Sequence, residues 1–222
     1  MAKSYREPLL ACFGCAAALG LLTVLVFKSG SFNHADGSLL HRLMFEHESS
    51  SFELARALAR LADPLAMVVG LAAVCGLALH WGRRREAVAA VAVVVGANVT
   101  TQVLKQLLDL HRFQPFLDVF QPWHDAFPSG HTTAAVSLAV ALVLVAPARR
   151  RALAVAVGVA YSALIAICVL ALEWHYPSDV AAGTLVAVGW GCAALAALRF
   201  FLAREQRAGE AQASSRFAIS TK

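Results

Sequence analysis

Charge is scarce in this chain: only 15% of its 222 residues are Asp, Glu, Lys or Arg, against 59% hydrophobic. That balance is too apolar for an ordinary soluble domain of this length. Apolar runs of roughly 18 residues or more, enough to cross a hydrocarbon core about 30 Å thick, recur along almost the whole sequence. Cysteine is confined to five positions, Cys12, Cys15, Cys75, Cys168 and Cys192, each inside an apolar run, which reads as buried thiols. Cys12 and Cys15 form a C-x-x-C pair without further ligands, which argues against metal or redox use. His34, His41 and His47 show no ligand spacing repeated with Cys or Asp, so no metal is expected there either. The net charge of +5 is not a nucleic-acid signal, because the Arg clusters are short and lie between apolar runs, as membrane topology signals do.

What remains is a series of apolar segments, at about Pro8–Phe27, Pro64–Trp81, Ala87–Leu104, His131–Ala146, Ala152–Leu172 and Val180–Leu202. The first follows Lys3 and Arg6 with no small-residue cleavage pattern after it, and is expected to be a retained anchor. An all-α, six-helix transmembrane bundle is therefore predicted. In the long connection from Lys28 to Asp63, the apolar spacing of Phe52 to Leu61 predicts a short amphipathic helix on the outer interface. After about Arg204 no apolar period continues, and disorder is expected.

Cytoplasmic loops retain an excess of Lys and Arg. Arg83-Arg84-Arg85 and Arg149-Arg150-Arg151 fill the second and fourth connections, and Arg199, Arg204 and Arg207 follow the sixth segment. Both termini are therefore expected in the cytoplasm, and the third and fifth connections outside. Those two are rich in His, Asp and aromatic residues.

Three clusters fall at the outer ends of different helices. Lys105 and Arg112 supply two fixed cations, the guanidinium able to grip phosphate oxygens as a fork. Pro128-Ser129-Gly130-His131 opens the fourth segment, where Ser129 and Gly130 present a helix N-terminus suited to an anion. His175 and Asp179 stand four residues apart at the opening of the sixth, where a carboxylate can hold one imidazole nitrogen and leave the other free. In this order the set resembles the type 2 phosphatidic acid phosphatase family, whose motifs read K-x6-R-P, P-S-G-H and S-R-x5-H-x3-D.

The resemblance implies an integral membrane phosphatase over residues 1–203 with an extracytoplasmic active site, followed by a cytoplasmic tail at 204–222. It implies that His175 attacks phosphorus to form a phosphohistidine, that Asp179 orients it, and that His131 protonates the leaving oxygen and later activates water. Lys105, Arg112, Ser129 and Gly130 would bind the phosphate, with no cofactor and no metal. The implied substrate is a lipid phosphate or diphosphate (undecaprenyl-diphosphate-like, phosphatidylglycerol phosphate or phosphatidic acid) met at the plasma (inner) membrane. Membrane lipids are the implied surroundings and nucleic acid is not a partner.

Two departures stand out. Phe113 replaces the proline of the first motif, with Pro115 close by. The S-R dipeptide of the third motif falls on Cys168 and Val169, so a phosphate-binding arginine is missing. Loss of one preorganised donor could cost a few kcal/mol of transition-state stabilisation. His111 and His124 are the candidate substitutes, whereas Glu173 would repel a phosphate. A lipid phosphotransferase, or a non-catalytic phospholipid-binding homologue, are the alternatives.

Each residue also has a plainer role. Lys105 and Arg112 could snorkel at a helix end, Ser129 could be only an N-cap, and Asp179 only a first-turn acid. Asn98, Thr101 and Gln102 read as helix-packing hydrogen bonders, and Trp123, Trp174 and Tyr176 as interface-belt aromatics. Coincidence of three clusters on one side of the membrane favours the functional reading.

Overall fold

The computed structural model describes residues 4–44, 46, 49–108 and 126–220, with side chains as far as residue 209. Every regular element among them is helical: α1 (Arg6–Lys28), α2 (Gly30–His41), α3 (Ser50–Ala59), α4 (Pro64–His80), α5 (Arg84–Leu108), α6 (Gly130–Val145), α7 (Arg151–Ala171) and α8 (Pro177–Ser220), with single 3-10 turns at Arg60–Ala62 and Ala148–Arg150.

Helix α6 is the axis, packed against α4, α5, α7 and α8. It is buried on several faces, and its sequence accordingly has no polar side: Thr132, Thr133, Ala134, Ala135, Val136 and Ser137 are all buried. Small residues dominate because helix backbones must approach closely where no hydrophobic force separates helix from lipid. Leu9, Leu10, Phe13, Val88, Val91, Leu153 and Val157 point outward and are exposed, the inside-out pattern of a bundle solvated by lipid. The protein is a multi-pass helical membrane protein.

Each of the six predicted apolar segments lies on a helix (α1, α4, α5, α6, α7 and α8), although not all of them pass as membrane spans by length and composition. Among the described residues four helices are long and apolar enough to cross a membrane: Arg6–Lys28, Arg84–Leu108, Ala148–Ala171 and Pro177–Gly209. A fifth is reached if Ser50–Ala62 and Pro64–His80, which meet at 52°, form one bent span. The fourth predicted segment is α6, with only 16 residues. At 1.5 Å per residue it is about 24 Å long, tolerable because its flanks are covered by neighbouring helices.

Three further differences concern local structure. The predicted amphipathic helix is α3, which packs on α7 through Ala55, Ala59, Cys168 and Leu172. Helix α2 was not predicted; Ser29 caps it by accepting from the Phe32 N–H, and Asn33 ties it to α1 through the Val26 carbonyl at 2.8 Å. Helix α8 runs on as one element to Ser220, past the point after Arg204 where disorder was expected. Ala, Glu, Gln and Arg are good helix formers even without an apolar stripe, and the Arg85 guanidinium grips Glu205 with both nitrogens at 2.6 and 2.8 Å.

The basic clusters gather at one end of the bundle. Arg83 and Arg151 both donate to the Ala146 carbonyl, and Arg150 lies over the Trp81 ring at 5.4 Å. Helices α4 and α6 each run from the end carrying His131 to that basic end.

Candidate active site

The site forms where α6 and α8 begin and α5 ends. Ser129 is the N-cap of α6, its Oγ accepting from the Thr132 N–H at 3.3 Å. The N–H groups of Gly130 and His131 belong to the first turn, where no intrahelical carbonyl reaches them. Gly130 is half-buried, so its backbone can face an anion closely.

Tyr176-Pro177-Ser178-Asp179 starts α8 by well-understood means. Pro177 takes the first helical position, where its missing N–H costs nothing. The Asp179 carboxylate reaches back to accept the Tyr176 N–H at 2.8 Å, the N3-to-N-cap half of a capping box. The same oxygen stands 3.6 Å from His175 Nδ1, within ion-pair range but longer than a hydrogen bond. Asp179 is wholly buried and His175 nearly so, and His175 Nδ1 has no hydrogen bond among the described residues. One oxygen of Asp179 thus caps α8 and faces His175 Nδ1.

The two motifs are fastened to each other. The Ser129 N–H donates to the Asp179 carbonyl at 3.0 Å. Thr133 donates to the Ser129 carbonyl at 2.8 Å and shares a hydrogen bond with the Thr101 hydroxyl of α5 at 3.0 Å. Gly183 permits this closeness, since a Cβ there would lie 2.6 Å from the Ser129 carbonyl oxygen. Thr101, expected only as a packing residue, thus braces the Ser129 turn through Thr133.

The His131 and His175 rings face each other with centroids 6.4 Å apart. Lys105, in the last turn of α5, is within electrostatic reach of His131. Trp174 lies beside His131 at 5.3 Å between ring centroids, and Tyr176, next to His175 in sequence, is buried. Arg112, His111, His124 and Trp123 lie outside the described residues.

Val169, where the third motif has arginine, is fully buried in the apolar core with Ile165, Ala134 and Ala135. Its carbonyl accepts the Trp174 N–H at 3.0 Å. Glu173 follows in a left-handed backbone conformation, φ 60°, and is buried, the sort of backbone strain that clusters at functional sites.

Two residues were missed by sequence reasoning. Asp36 of α2 is buried and accepts from the Ser178 N–H at 3.0 Å and the Ser178 hydroxyl at 2.5 Å, pinning α2 on the start of α8. Asp63 places Oδ1 3.4 Å from His131 Nε2. Neither has a motif around it, and the partner of each is remote in sequence.

A family model of the PAP2 superfamily matches residues 65–203, more than half of the chain. No curated protein matches. Among solved structures, the chain is similar to a transmembrane PAP2 type phosphatidylglycerolphosphate phosphatase from Bacillus subtilis, with 15% identity and a TM-score of 0.70 over 87% of this chain and 96% of that one, a likeness of fold. The chain therefore belongs to the PAP2 superfamily, the type 2 phosphatidic acid phosphatases.

Proposed function

We propose that the protein is a membrane phosphatase that hydrolyses a lipid phosphate or diphosphate at the extracytoplasmic face through a phosphohistidine on His175. The single observation that carries this reading is the approach of His175, backed by Asp179, to His131 at the N-terminus of α6. With centroids 6.4 Å apart, both rings can reach one phosphoryl group bound at the start of α6.

In this scheme Nε2 of His175 attacks phosphorus as the bond to the lipid oxygen breaks. His131 gives that oxygen its proton. The Gly130 and His131 N–H groups, with Lys105 and Arg112, offset the charge on the equatorial oxygens. Water then attacks the phosphohistidine, His131 takes its proton, and phosphate leaves with His175 restored.

Depth supports a lipid substrate. A helix of about 24 Å beginning at the anion site keeps that site near the headgroup level of a core about 30 Å thick. Val169 favours a second reading, a phospholipid binder that no longer turns over, because the expected guanidinium is replaced by an apolar side chain. The test is phosphate release by purified protein in detergent from phosphatidic acid, phosphatidylglycerol phosphate and a polyprenyl diphosphate, with and without a chelator. Release from at least one, insensitive to chelator, is expected; binding of all without release would favour the second reading.

Orientation has its own test. A cysteine introduced between positions 118 and 124 is expected to react with an impermeant thiol reagent in intact cells, and cysteines at 84 or 150 are not. The reverse pattern would place the site in the cytoplasm.

A further inference from the structure

Asp63 ends the long first connection and is the N-cap of α4, in the extended conformation that precedes Pro64. An aspartate there ordinarily accepts a hydrogen bond from the second or third N–H of its helix. This one makes no such bond. Its carboxylate crosses to α6 instead, with Oδ1 3.4 Å from His131 Nε2, and both side chains remain partly open to solvent.

Its backbone position is well fixed. Asp63 sits at the 52° elbow between Ser50–Ala62 and α4. The turn just before it is held by the Tyr161 hydroxyl of α7, which donates to the Leu61 carbonyl at 2.8 Å. The Asp63 N–H donates to the Arg60 carbonyl at 3.1 Å, and its own carbonyl accepts from the Met67 N–H at 2.9 Å. A carboxylate released from capping and held at a fixed elbow against one imidazole is a device for orienting that imidazole.

Resting on the phosphatase reading above, we infer that Asp63 is a positioning residue for His131, the counterpart of Asp179 for His175. It holds the Nε2–H edge, which leaves Nδ1 as the nitrogen that hands a proton to the leaving oxygen and later takes one from water. The carboxylate also favours the charged imidazole that the first step requires. Like charges face His131 from the other packed elements: Lys105 from α5 and His175 from the connection into α8, the latter with Glu173 two residues before it and Asp179 four after it in sequence. Asp63 supplies the carboxylate on the side where α4 meets α6.

The arrangement has a cost that makes the inference specific. A carboxylate near the site repels a phosphate dianion, so Asp63 should weaken substrate binding while aiding turnover. Asp63→Asn keeps the shape and removes the charge. It is expected to lower kcat on the order of tenfold, leave KM unchanged or lower, and move the alkaline limb of the kcat profile down by about one pH unit, since an imidazolium that loses its carboxylate gives up its proton at lower pH. Asp63→Glu is expected to restore most of the profile.

The companion measurement needs no turnover: a titration of the His131 ring by NMR in protein labelled with 15N at histidine, the resonance assigned by its loss in His131→Gln. The midpoint should fall in Asp63→Asn. A fall in the midpoint without any phosphatase activity in the wild type would sink the phosphatase reading and leave the pairing intact. An unmoved midpoint, or a lower kcat with an unshifted profile and a raised KM, would overturn the inference.

Discussion

His175→Ala is expected to lower phosphate release by at least about a thousandfold, the scale of losing a covalent nucleophile, while leaving the fold intact. The second half of that expectation comes from how the start of α8 is held. Pro177, the Asp179 carboxylate on the Tyr176 N–H, and Asp36 on Ser178 fix the first turn without help from the imidazole. His175 Nδ1 makes no hydrogen bond among the described residues, so its removal orphans no partner there beyond the nearby Asp179. Thermal unfolding in detergent, followed beside phosphate release, separates lost chemistry from lost structure. A variant that keeps more than a tenth of wild-type release would remove His175 from the nucleophile's role.

Gly183→Ala is expected to damage both stability and turnover, although it adds only one methyl group and removes no functional side chain. The added Cβ would stand 2.6 Å from the Ser129 carbonyl oxygen, 2.9 Å from Thr133 Oγ1 and 3.2 Å from the Thr133 nitrogen. Two of those atoms are backbone, and Ser129 is tied to the Asp179 carbonyl, so the obstacle cannot swing aside. Overpacking of this kind costs typically 1–3 kcal/mol. The helices must separate, which moves His175 away from His131, and misplacement by about 1 Å can cost a hundredfold in rate. Gly14→Ala, with nothing within 4 Å of its added carbon, is the control and should change neither property. Equal behaviour of the two variants would show that the approach of α8 to the Ser129 turn is not needed.

The parts of this molecule legible in its sequence are those set by local chemistry. Ser129 before an apolar run reads as an N-cap, and Tyr-Pro-Ser-Asp reads as the start of a helix, because caps and first-turn acids act over three or four residues. Helix positions were legible too, since lipid demands long apolar runs. Length marks α6 less clearly as a span, since its 16 residues are fewer than a lone crossing needs. Asp63 shows the limit most clearly. Its sequence context, Asp before Pro at a helix start, points to a cap, and the structure turns its carboxylate away from the helix towards His131. Trp174 likewise reads as an interface aromatic until α6 brings His131 against it. The burial of Val169 could not be read from the motif, which marks only that arginine is absent.

The most direct test of a phosphohistidine on His175 is rapid acid-free quenching of the purified protein during turnover of a 32P-labelled lipid phosphate, followed by mapping of the label. The prediction is a phosphoryl group that is stable to alkali, lost in acid, carried by the peptide containing His175, and absent from His175→Ala. It should build up further in His131→Ala when the lipid leaving group is replaced by one that needs no proton, such as p-nitrophenolate. Turnover without label on the protein under these conditions, or label on any residue other than His175, would contradict it.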